Sequence, residues 1–75
     1  MICWEDTDDK GITAKCVYEP EKMTYHVTVS KGDLVKTESF GQTFTPTFGM
    51  DVADQQESGA IAEKLAKEIE KELGI

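Results

Sequence analysis

The chain has 75 residues, with 15 acidic side chains against 8 lysines, no arginine, no asparagine and one histidine, for a formal net charge of −7. This length allows one small domain, residues 1–75. The charge argues against a basic nucleic-acid-binding surface, and without arginine there is no bidentate fork for phosphate.

No stretch approaches the roughly 20 apolar residues of a membrane span. The start, Met1-Ile2-Cys3-Trp4-Glu5-Asp6, lacks the basic region and apolar run of a signal peptide. The expected setting is cytoplasmic, with no membrane contact.

Turn signals divide the first forty residues into four segments of strand length, roughly 2–7, 12–18, 23–29 and 33–40. The first turn, Asp9-Lys10-Gly11, suits a three-residue hairpin loop with a left-handed glycine last. It pairs Trp4 with Cys16 and Ile2 with Tyr18, which puts Ile2 and Trp4 on the apolar face and Cys3 on the other. Glu19-Pro20-Glu21-Lys22 reads as a four-residue loop with Pro20 at the second turn position. It pairs Tyr18 with Met23, Cys16 with Tyr25, Ala14 with Val27 and Ile12 with Val29, so one face is apolar throughout. Ser30-Lys31-Gly32 has the form of the first turn and pairs Val27 with Val35, Tyr25 with Thr37 and Met23 with Ser39. That register leaves Val17, Leu34 and Phe40 on the open face, with His26 between Lys15 and Lys36.

Residues 41–50 form an aromatic connection. Phe40, Phe44, Pro46, Phe48 and Met50 alternate with polar residues. These groups can plug the end of the core. They can also form a binding rim beside the acidic helix start at Asp51, Asp54 and Glu57.

From about 52 to 73 the chain is predicted to be helical. Ile61, Ala62, Leu65, Ala66, Ile69 and Leu73 fall on one stripe. Asp54 followed by Glu57 resembles a capping box, with the regular helix from 55 to 73. Gly74 sits where a left-handed cap belongs, and Ile75 can fold back on the last turn. The expected fold is α+β: a four-stranded antiparallel β-meander with one C-terminal amphipathic helix packed across one sheet face.

The chain carries few signs of chemistry. Asp6, Asp8 and Gly11 match the start of a calcium loop, but Lys10 and Val17 stand where ligands belong. Cys3, Cys16 and His26 lack the short spacing of a zinc site. His26 would need a nucleophile and an orienting carboxylate beside it to act in catalysis. The expectation is a non-enzymatic chain with no cofactor and no metal.

The leading functional expectation is a small acidic protein-interaction module that binds a protein partner or a second copy of itself. Its contact residues would be the aromatic and acidic groups of 40–57 or the open sheet face. The acidic surface comprises Glu5, Asp6, Asp8 and Asp9 at the first turn, with Glu63 and Glu70 on the helix. In size and charge the chain resembles phage-encoded inhibitors of bacterial defence systems, a likeness that carries over no motif and no residue. It implies a second reading, in which carboxylates imitate phosphates and occupy the basic groove of a defence nuclease. A third reading is a small divalent-metal-binding protein. No direct nucleic-acid binding is expected.

Overall fold

The computed structural model describes residues 1–43 and 52–75. Strands β1 (Ile2–Thr7), β2 (Thr13–Glu19), β3 (Thr24–Lys31) and β4 (Leu34–Gly41) form one antiparallel sheet in the order β1-β2-β3-β4. Helix α1 (Val52–Leu73) follows and packs chiefly against β3. The expected α+β architecture is the observed one.

The core lies between the helix stripe and one sheet face. Ile12, Cys16, Tyr25, Val27 and Val29 meet Ile61, Ala62, Leu65 and Ile69 there. Strand alternation delivers one set and helical spacing the other. Leu73, expected on the stripe, is 45% exposed because it lies past the end of that core. Gly74 takes φ +73. Ile75 N–H donates to Glu70 O at 2.9 Å and Gly74 N–H to Lys71 O at 3.3 Å, which closes the expected helix end.

The first hairpin closes as predicted, with Gly11 at φ +79 and Trp4 opposite Cys16. The register shifts between Ile2 and Trp4, so Ile2 lies opposite Val17 rather than Tyr18. This bulge adds one residue to β1 and exchanges its faces there. Ile2 is left exposed, whereas Cys3 packs against the core beside Trp4. Both assignments therefore correct the sequence-based expectation.

The second loop is Pro20–Met23, with Met23 at φ +50, and Glu19 pairs with Thr24. Tyr18 now opposes Tyr25, and Cys16 opposes Val27. This is two residues from the predicted register. A shift of two keeps every side chain on its face, so the apolar face survives.

The third turn differs more. It is the two-residue turn Gly32-Asp33, with Gly32 at φ +59, and Lys31 pairs with Leu34. Val27 opposes Glu38 and Tyr25 opposes Phe40, three residues from the prediction. An odd shift turns the whole strand over. Leu34 and Phe40 therefore pack on the covered side, while Val35, Thr37 and Ser39 are exposed on the open one. Lys36 and Glu38 also face the helix, where they meet charges of opposite sign. Lys36 Nζ lies 3.2 Å from Glu72 and 3.8 Å from Glu68, and Glu38 meets Lys64 at 2.5 Å.

Candidate functional site

The helix covers one sheet face, and among the described residues no element packs on the other. The open face is polar and rich in hydroxyls. Thr7 and Thr13 hydroxyls lie 3.0 Å apart, and those of Thr28 and Thr37 lie 3.2 Å apart. Val35 stands among them with 56% of its surface exposed.

His26, on β3, lies directly opposite Ser39 on β4. Its Nδ1 is 2.7 Å from Ser39 Oγ, and its Nε2 is 2.9 Å from Glu19 Oε1. In the tautomer whose Nε2–H donates to Glu19, Nδ1 accepts a hydrogen bond from the Ser39 hydroxyl. The hydrogen bond from His26 holds the Glu19 carboxyl below its ordinary range. Hydroxyl, imidazole and carboxylate stand in the order used by catalytic triads. However, His26 and Glu19 side chains are each 36% exposed on a water-washed face. Water there weakens the electrostatics that triads draw on in enclosed sites. The three side chains form one hydrogen-bonded polar cluster on the open face.

Beside this patch runs the β4 edge. Gln42 N–H donates to Met23 O at 2.9 Å. Counting back in steps of two, Phe40, Glu38, Lys36 and Leu34 aim their backbone groups at β3. Those of Val35, Thr37, Ser39 and Gly41 therefore point off the sheet. No other strand of the described residues follows β4 in the sheet. The opposite edge, β1, carries the bulge and the exposed carboxylates Glu5 and Asp6. Both features discourage strand addition.

Of the residues predicted to form a rim, Phe40, Asp54 and Glu57 are described, and these three do not share one surface. Phe44, Pro46, Phe48, Met50 and Asp51 lie outside the described residues. Phe40 stacks on Tyr25 with ring centroids 5.0 Å apart, and so belongs to the core side. Asp54 is fully buried in the first turn of the helix, not an exposed cap before it. Its carboxylate accepts Thr43 N–H at 3.1 Å. Burial first, and then the Asp54 charge, push the Tyr25 hydroxyl up to about 12. Of the rim set, Glu57 is exposed.

The acidic residues are also partly committed. Asp8 accepts Lys10 N–H and Ile12 N–H, each at 2.9 Å, and Asp6 accepts Thr7 N–H at 3.0 Å. The hydrogen bond from Ile12 is the main cause of the lowered Asp8 pKa. These carboxylates build the turn that resembled a calcium loop. Glu70 pairs with Lys10, and Glu63 with Lys67 at 3.1 Å. Glu5 and Asp9 are exposed. Among the described residues, no group of three or more His, Cys, Asp or Glu is placed to hold a metal ion. Both cysteines are free thiols, and burial pushes that of Cys16 up to about 12. Among the described residues, no helix is long and apolar enough to cross a membrane.

Sequence reasoning missed Ser39 as the neighbour of His26. The signal was Gly32-Asp33, a dipeptide suited to a two-residue hairpin. Reading the turn there turns β4 over and brings Ser39 to His26. Compared with protein-family models, curated proteins and solved structures, the chain matches none.

Proposed function

We propose that this chain is a non-enzymatic protein-interaction module that binds through the β4 edge and the adjoining open face. The observation that carries this reading is the outward-facing backbone of β4, an eight-residue edge strand. Such an edge can accept an added strand through main-chain hydrogen bonds. Val35, Thr37 and the Ser39–His26–Glu19 patch supply side-chain contacts on the same side.

Carboxylates of the helix are engaged with Lys10, Lys36 and Lys67, which lends less support to a phosphate-imitating acidic face. The test is Thr37→Pro. The Thr37 N–H points away from β3, so proline there spares the internal ladder and blocks the edge. Proteins captured from cell extract by the wild-type chain should be lost with this variant. Retention of the same proteins would sink the reading.

A further inference from the structure

We infer that the partner of the β4 edge is a second copy of this chain, paired antiparallel about Thr37. This rests on the interaction-module reading and names its partner. Two antiparallel edge strands in one sheet are related by a two-fold axis perpendicular to it. The axis lies between the two copies of one self-facing residue, and paired residues share a face.

The sequence Leu34-Val35-Lys36-Thr37-Glu38-Ser39-Phe40 is self-complementary about Thr37. Lys36 of each copy would oppose Glu38 of the other, twice over. Leu34 would oppose Phe40, and Val35 would oppose Ser39. Centring the axis on Lys36 sets lysine against lysine, and centring it on Glu38 sets glutamate against glutamate, both unfavourable. The backbone agrees with the charges. Val35, Thr37 and Ser39 are the residues whose N–H and C=O groups point off the sheet, so they supply the new ladder.

Charged side chains on the covered face of an edge normally discourage a foreign strand. Here a second copy sets an opposite charge against each, beside the helix groups that already pair with them. The helices also have room. Each packs chiefly on β3. The two β3 strands would lie three strand spacings apart, roughly 14 Å. Packed helices need only about 8–10 Å. A single short ladder makes a small interface, and interfaces under roughly 1,200 Å² are typically weak, so a concentration-dependent dimer is expected.

Sedimentation equilibrium from micromolar to millimolar concentration tests the pairing, with circular dichroism to confirm folding. The wild-type mass should rise from 8.3 kDa toward twice that value. Lys36→Glu and Glu38→Lys should each remain monomeric, and an equimolar mixture of the two should regain the dimer. The ion pairs to the helix that they disturb are surface pairs of small weight. Thr37→Pro gives an independent variant, expected to stay monomeric with its fold intact. A wild-type chain that stays at 8.3 kDa throughout overturns the inference. So does a dimer that the charge-swapped mixture fails to restore. If the wild type is monomeric yet Thr37→Pro abolishes capture of another protein, the second-copy inference fails and the interaction-module reading stands.

Discussion

The indole N–H of Trp4 donates to Ser58 Oγ at 2.9 Å, which ties the first strand to the helix across the core. Ser58 is fully buried, and its own hydroxyl donates to Gln55 O at 2.8 Å. Ser58→Ala leaves the indole donor without its partner. Unmet burial of such a group costs about 1–3 kcal/mol. Urea unfolding should show that loss, and the emission of Trp4 should change in the folded state. A variant as stable as the wild type would mean that the bond contributes nothing.

Asp54 gives a second measurement. Its carboxylate holds Thr43 N–H and lies beside the Tyr25 hydroxyl. Asp54→Ala should cost about 1–3 kcal/mol, since buried polar groups lose a shared acceptor. Asp54→Asn keeps one oxygen and should cost less. An exposed capping residue would show no such ranking against Glu57→Ala, whose exposed site should change stability by less than about 0.5 kcal/mol. Thermal or chemical denaturation of the three variants decides the matter.

Phe40 and Leu65 test the core assignment. Leu65 is 5% exposed, and Leu65→Ala should destabilise by about 2–4 kcal/mol. Phe40→Ala removes a ring stacked on Tyr25 but only half buried, so about 2 kcal/mol is expected. Val52→Ala, at a site 67% exposed, should be nearly neutral. If Phe40→Ala proved neutral as well, the residue would be a surface group and the observed β4 facing would be wrong.

Alkaline stability should report Cys16 and Tyr25. Burial raises both groups to about 12, from ordinary values of 9.0 and 10.0. The unfolded chain therefore loses these protons first as pH rises. Their contribution is fully present below pH 9.0 and is lost between there and about 12. Lys10 and Lys64 act in the same direction, because the hydrogen bonds they donate to Glu70 and Glu38 raise their pKa values. Melting temperature should fall above pH 9.0, and Cys16→Ala should flatten the start of that fall. The same slope in variant and wild type would show that Cys16 plays no part.

The amino-acid sequence determined the element order, the sheet topology and the faces of the two central strands. Alternation has a period of two, so the misplaced second loop moved the pairing by two residues without exchanging inside for outside. Tyr25, Val27 and Val29 were legible as core for that reason. Helical spacing likewise marked Ile61, Leu65 and Ile69, and Gly74 marked the helix end.

Registers that turn on a single residue were decided by tertiary structure. At β1 a one-residue bulge sent Ile2 outward and Cys3 inward. At β4 the choice between a three-residue and a two-residue turn decided which face held Phe40 and which held Ser39. Lys36 and Glu38 look like solvent-facing residues by composition. They face inward because Lys64, Glu68 and Glu72 on the helix meet them there. Asp54 and Ser58 look like surface residues for the same reason, and became core only where Thr43 and Trp4 arrived to satisfy them. Local patterns encode faces, but partners for polar groups come from distant parts of the chain. The His26–Ser39 contact hangs on the Gly32-Asp33 turn, which the sequence offered beside a rival, and the folded protein chose between them.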